Sequence, residues 1–310
     1  MSSLLLIISS ILVSVLFIVF FQKLFFQKNI IDKINNRSSH SVIATRSGGI
    51  AIFSTLFIIS ALNYFYSVKI FDYSLIVPIS LMLIVGLYDD IYKLDFKLKF
   101  IFQIIAAKII IDNGLIIDNL HGIFGVFELN RIFAQLITIF FTVAIINSIN
   151  FIDGIDGLAI SIVSLFLIAF EFFSSSSTDF IYLSVIIICS IIPLFYFNFK
   201  KKYKVFLGDS GSLFLGTLTS IYVLKILSQD YFIDSEYDMN KVLFVISILF
   251  YPIVDIIRIV IIRLMQGKSP FVADKNHIHH LILSKAKSQS KTTLIIVVSS
   301  ILIMILIQLL

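Results

Sequence analysis

The sequence holds one cysteine in 310 residues, Cys189, set within an apolar run. A single thiol excludes an internal disulfide framework and a cysteine-rich metal site, and leaves Cys189 as a packing residue. Charge is scarce as well. Asp, Glu, Lys and Arg make up 14% of the chain against 59% hydrophobic residues, with a mean hydropathy of +1.04. A soluble domain of this length could not hide that much apolar surface. The alternating ten-residue segments of a membrane β-barrel are missing. The first apolar run, Leu4–Phe21, lacks a basic start and a small-residue cleavage site, so it is read as a retained helix rather than a signal peptide. No repeat of fixed period and no soluble stretch stands out, so residues 1–310 are expected to form one integral membrane domain.

What is present is a series of apolar runs, each of roughly the 17–25 residues that cross a bilayer as a helix. Ten spans are expected, near 3–22, 48–67, 72–90, 98–117, 131–149, 157–174, 179–197, 210–228, 240–262 and 292–310. The expected fold class is therefore all-α, a polytopic membrane protein. Its connections alternate between two faces. Segments 22–47, 91–97, 150–156, 198–209 and 263–291 share one face, and most of the 24 Lys and Arg lie there. That bias marks the cytoplasmic side. The opposite segment Gln229–Asp238 has acids and no bases. Both termini are then expected outside. A net charge of +5 divided among short loops points to the membrane rather than to nucleic acid.

The unusual polar residues gather on the basic face. GLYDDIYKL places Asp89 and Asp90 side by side. NSINFIDGIDGLA carries Asn147, Asn150, Asp153 and Asp156. NFKKKYKVFLGDSGS carries Asn198, Phe206 and Asp209. RSSHSVIATRSGG carries Arg37, His40 and Arg46, and DKNHIHHLIL carries His277, His279 and His280. Each has a plain alternative. The acids could be solvated or could cap helices. Asp209 and Ser210 stand where a helix cap belongs, and Gly211 and Gly216 suit close helix packing. The lysine run 201–204 reads as an orientation signal or a contact with anionic lipid. HIHH is a weak zinc candidate, because no carboxylate stands at matching helical spacing.

The combination argues for chemistry. Acids persist at a membrane surface when a cation or basic partner neutralises them. Asp89, Asp90, Asp153, Asp156 and Asp209 share the face with Arg37, Arg46, Lys93, Lys97 and Lys99. Carboxylate oxygens with room for phosphate suit Mg²⁺ rather than zinc. Glycine turns leading into helices expose N–H groups to an anion. Metal-assisted phosphoryl chemistry at the inner surface is the resulting expectation. A secondary transporter is the competing class. Transporters place ion-relay residues near the midplane, often in paired repeats. Here Asp255 and Arg258, one turn apart, are the main exceptions within an apolar run, and an internal ion pair is their plain reading. Lys108 and Glu171 also need neighbours.

In order and content these segments resemble the polyprenyl-phosphate N-acetylhexosamine-1-phosphate transferases, from about Arg37 to His280. The resemblance implies Mg²⁺-dependent transfer (Mn²⁺ as a substitute ion) of a sugar 1-phosphate from a UDP-sugar to undecaprenyl phosphate, with release of UMP. It implies a multi-pass protein of the bacterial inner membrane with its active site facing the cytoplasm, acting early in cell-surface polysaccharide synthesis such as that of O-antigen or cell wall; the oligomeric state is left open, a homodimer included. Carried over by residue, Asp209 resembles the metal ligand, joined by Asp153. Asp89 and Asp90 resemble the acidic pair near metal and lipid phosphate. Asn147, Asn150, Asp153, Asp156, Asn198 and Phe206 fall on nucleotide-side positions, with Phe206 a stacking surface for uracil. Lys93 and Lys99 match basic positions. Arg37, His40 and Arg46 belong to the first motif, and His277, His279 and His280 resemble the form found with simple N-acetylhexosamines such as GlcNAc. The segment ATRSGG departs from members with proline before the paired glycines, and resembles members that transfer deoxy-amino sugars such as FucNAc or QuiNAc.

Overall fold

The computed structural model describes residues 3–32, 43–120, 122, 125–175, 179–227, 231–233, 240–267 and 276–308. The described chain is mainly helical, with two two-residue strands. In chain order the helices are α1 Ser3–Gln27, α2 Gly48–Phe65, α3 Ile76–Tyr92, α4 Phe96–Asp112, α5 Arg131–Ile152, α6 Leu158–Phe172, α7 Ile181–Asn198, α8 Gly208–Leu227, α9 Lys241–Ile248, α10 Phe250–Met265, α11 Ile278–Ala286 and α12 Gln289–Gln308. Each expected apolar run is matched by helix. Among the described residues, however, seven helices are long and apolar enough to cross a bilayer, or eight if α9 and α10 count together. α4, with 17 residues, carries Lys97, Lys99, Lys108 and Asp112, and α6 has only 15. The run expected as one span at 240–262 is two helices meeting at 76°. Pro252 explains the break: it has no N–H to give the Ile248 carbonyl, and its ring crowds that position.

α8 is the axis of the bundle. All but three of its 20 residues are buried, and α2, α3, α5, α6 and α9 pack around it. Glycine makes these approaches possible. A Cβ on Gly86 of α3 would lie 2.3 Å from the Asp209 carbonyl oxygen, and one on Gly49 of α2 would lie 2.1 Å from the Gly211 nitrogen. On α8 itself, a Cβ on Gly216 would press on the Ile146 backbone of α5. Without side chains at these crossings, backbone meets backbone and dispersion contacts replace lipid contacts. Gly211 and Gly216 thus serve close packing of α8. At the periphery, α1 exposes Leu4, Leu12, Leu16 and Phe20, a face suited to acyl chains rather than water.

One short pairing joins the ends that matter. β1 (Ala44–Thr45) runs parallel to β2 (Lys204–Val205). The pairing continues as Phe206 N–H donates to Thr45 O at 2.8 Å, and Gly48 and Gly49 N–H donate to Phe206 O and Leu207 O, each at 2.9 Å. The first amides of α2, which have no partner within the helix, are thereby satisfied by the strand that leads into α8. Replacing Gly86 by Ala puts a methyl group into the α8 backbone. It is expected to lower stability by about 1–3 kcal/mol, read as a fall in the melting temperature of the detergent-solubilised protein.

Candidate active site

α3 ends in two adjacent acids that face different partners. Both oxygens of Asp90 cap α8: Oδ1 accepts from Asp209 N–H at 3.0 Å and Oδ2 from Ser210 N–H at 2.9 Å. A carboxylate at a helix N-terminus meets its free amides and the positive end of its dipole. The acid that caps α8 is therefore Asp90, delivered from another helix, rather than Asp209 or Ser210. Gly208, at φ +76, leaves room for it, since a Cβ there would lie 2.7 Å from Asp90 Oδ2. Asp89 accepts from Leu94 N–H through Oδ1 at 2.5 Å, and the left-handed Lys93 turns the chain away from α3.

Two cations enter this cluster from separate elements. Lys99 of α4 puts Nζ 2.5 Å from Asp89 Oδ2 and 2.6 Å from Asp209 Oδ2. Arg46 reaches Asp90 Oδ1 at 3.5 Å and Asp32 Oδ1 at 3.0 Å. Asp153, just past α5, is held above the usual carboxylate range by burial and by the negative charges of Asp209 and Asp90, with Arg46 opposing them. Asp89, Asp90, Asp153 and Asp209 thus outnumber Lys99 and Arg46, and Arg46 is shared with Asp32. The surplus is of carboxyl groups, and its donors are oxygens alone. That set fits a hard divalent ion such as Mg²⁺.

The other expected site residues have separate surroundings. Asn147 exchanges amide hydrogen bonds with Gln103 of α4 at 3.2 and 2.8 Å and also donates to Val143 O. Asn150 donates to Ser212 Oγ at 2.8 Å, and Asn198 donates to Val205 O at 2.9 Å. These amides hold α4, α5, α7, α8 and β2 in register around the acids. Asp156 forms a buried ion pair with Lys204, whose ammonium also lies 5.9 Å from the centre of the half-buried Phe206 ring. Lys93 is exposed. Arg37 and His40 lie outside the described residues.

The histidines form a buried group of their own. His277 Nδ1 lies 2.7 Å from Asp255 Oδ2, and Ile278 N–H donates to Asp255 Oδ1 at 2.7 Å. His279 Nδ1 is 3.1 Å from Tyr251 OH. Asp255, His277 and His279 bring their potential ligand atoms within 4.8 Å, so a carboxylate does reach the histidines, from α10. Both of its oxygens already accept hydrogen bonds, which favours an Asp–His pair over a metal centre. The expected Asp255–Arg258 pair does not form. Arg258 instead donates to Asn276 O at 2.5 Å. His279 Nε2 is buried without a hydrogen-bond partner and faces Gly154, whose Cβ would lie 2.9 Å away.

Sequence reasoning missed Gln103, Lys204, Ser212 and Tyr251. Lys204 was hidden in a basic run, and the others look like ordinary membrane-helix residues. Glu171 finds Ser184 Oγ at 2.5 Å, and Lys108 pairs with Asp112. Burial pushes His279 down from its ordinary 6.5 to about 3. Between these values the unfolded chain holds the proton and the folded chain does not, so stability falls as pH drops from about 6.5 toward 3. In detergent, the melting temperature is expected to fall between pH 7 and pH 5, and to fall less in His279→Gln.

With this geometry in place, comparison with known proteins is direct. Residues 73–227 match the family described as Glycosyl transferase family 4. The chain is 34% identical over 271 residues to a probable undecaprenyl-phosphate N-acetylglucosaminyl 1-phosphate transferase of Bacillus subtilis, covering 86% of this chain and 73% of that protein. It is 30% identical to an undecaprenyl-phosphate alpha-N-acetylglucosaminyl 1-phosphate transferase of Yersinia pestis, covering 88% and 74%. It is 29% identical to a decaprenyl-phosphate N-acetylglucosaminephosphotransferase of Mycobacterium tuberculosis, covering 84% and 70%. The matched region contains both Asp89–Asp90 and Asp209, the two ends that the glycine contacts press together, and the chain belongs to glycosyl transferase family 4.

Proposed function

We propose that the protein transfers GlcNAc 1-phosphate from UDP-GlcNAc to undecaprenyl phosphate and releases UMP, at the cytoplasmic face of the inner membrane. The observation that carries this reading is the convergence of Asp89, Asp90, Asp153 and Asp209 with Lys99 and Arg46, from segments far apart in the chain. The activities for which the relatives are named favour GlcNAc and a polyprenyl phosphate over a deoxy-amino sugar. Membership of a transferase family leaves the transporter reading without support.

A phosphate oxygen of the lipid attacks the β-phosphorus of the UDP-sugar. The new P–O bond forms as the bond from the β-phosphorus to the bridging oxygen breaks, and the electron pair leaves with UMP. The second pKa of a phosphate monoester is near ~6, so the acceptor is largely dianionic at neutral pH and needs no strong base. Lys99 and Arg46 supply donors for phosphate oxygens. Asp90 holds the end of α8 and so fixes where Asp209 stands. Asp209 and Asp153 would hold Mg²⁺, which when bound offsets charge on the diphosphate. Fixed placement of both phosphates accounts for much of the expected acceleration.

Asp209→Asn is expected to lower UMP release from UDP-GlcNAc at least about a hundredfold and to weaken the rise in melting temperature produced by Mg²⁺, with the protein still inserted. Near-normal UMP release in this variant would overturn the assignment. A panel of UDP-sugars in the same assay should rank UDP-GlcNAc first.

A further inference from the structure

The DGIDG turn, residues 153–157, is held by α11, which carries His279 and His280, and by α12, which the site assignment does not use. α11 and α12 form a sharp hairpin, turning through the left-handed Lys287. α11 presents His279 and His280 to Gly154, where a Cβ would lie 2.9 Å and 3.6 Å from their Nε2 atoms. The first two turns of α12 then hold the Asp156 peptide at both ends. Asp156 N–H donates to Gln289 Oε1 at 2.8 Å, and Thr293 Oγ1 donates to Asp156 O at 2.7 Å. The Asp156 carboxylate pairs with Lys204 on β2. Gly157, at φ +75, closes the turn against the Phe199 ring, which a Cβ would approach to 2.6 Å.

This arrangement gives the two acids of the turn different duties. Every polar group of Asp156 has a partner within the protein, and Asp153, three residues earlier, faces the charges of Asp209 and Asp90. We propose that Gln289 and Thr293 are positioning residues for the nucleotide-sugar side of the site: the hairpin fixes the Asp156 peptide and thereby sets the reach of Asp153 toward the acid cluster. Asp156 is the anchor of the turn, and Lys204 is its lock. The inference rests on the transferase reading, and it assigns α12 a part in the site as well as a span.

The test uses the full-length purified protein with UDP-GlcNAc, undecaprenyl phosphate and Mg²⁺. Thr293→Val keeps the shape of the side chain and removes the hydroxyl that donates to the Asp156 carbonyl. It is expected to raise KM for UDP-GlcNAc about tenfold, with KM for the lipid within twofold of wild type and the melting temperature little changed. Thr293→Ser restores the hydroxyl and should restore the donor KM. Gln289→Leu should act in the same direction as Thr293→Val. An unchanged donor KM in both Thr293→Val and Gln289→Leu overturns the proposal. So does an equal change in both substrates' KM with a large loss of melting temperature, or failure of both variants to fold, because either assigns the contacts to stability alone. A wild-type protein that releases no UMP would instead overturn the transferase reading itself, which separates the two failures.

Discussion

The capping of α8 by Asp90 is the contact on which the rest of the site depends. Two backbone amides at the start of a buried helix need acceptors, and the carboxylate at the end of α3 supplies both. The contact forms only because Gly86 lets α3 lie against the Asp209 backbone and Gly208 leaves space beside the carboxylate. Once α3 and α8 are joined, Asp89 and Asp209 stand close enough for one ammonium to bridge them. Packing between apolar helices thus sets the electrostatics of the cluster. Negative charge accumulates where glycine allows backbones to touch, and cations from α4 and from the segment before α2 only partly offset it.

A second layer keeps this arrangement rigid. The reciprocal amide pair of Gln103 and Asn147 ties α4, which carries Lys99, to α5, which leads to Asp153. The parallel pairing of β1 with β2 ties Arg46 to the strand entering α8. Each contact is modest in free energy, since a net hydrogen bond contributes about 0.5–1.5 kcal/mol. Their value lies in geometry: a phosphoryl-transfer site must hold two phosphates within a fraction of an ångström of their working positions.

Much of this was legible in the sequence, for identifiable reasons. Paired acids and an Asp-Gly-x-Asp-Gly turn in an oily chain stand out because their burial is costly. The grouping of Asp89, Asp90 and Asp209 followed from helices alternating direction across a bilayer. Other features needed three dimensions. Asn147 and Gln103 lie 44 residues apart, and nothing in either local pattern names the other. Lys204 read as part of a charge run, yet it is buried against Asp156. Asp255 was visible as an acid in an apolar run, but its partner proved to be His277, 22 residues on, rather than Arg258 one turn away. Span counting exceeded the number of helices long and apolar enough to cross, because α4 is rich in charge and α6 is short. The bend at 249 had its signal in Pro252, three residues beyond it.

The central claim is that the α3–α8 junction organises one carboxylate cluster that receives a magnesium-bound sugar nucleotide. Structure determination of the protein in lipid nanodiscs with Mg²⁺ and UDP-GlcNAc tests it most directly. The account predicts an ion about 2.0–2.1 Å from oxygens of Asp209 and Asp153, touching the diphosphate, with Asp90 still capping α8. A diphosphate bound away from these residues, or an ion held elsewhere with the Asp90 cap released, would contradict it.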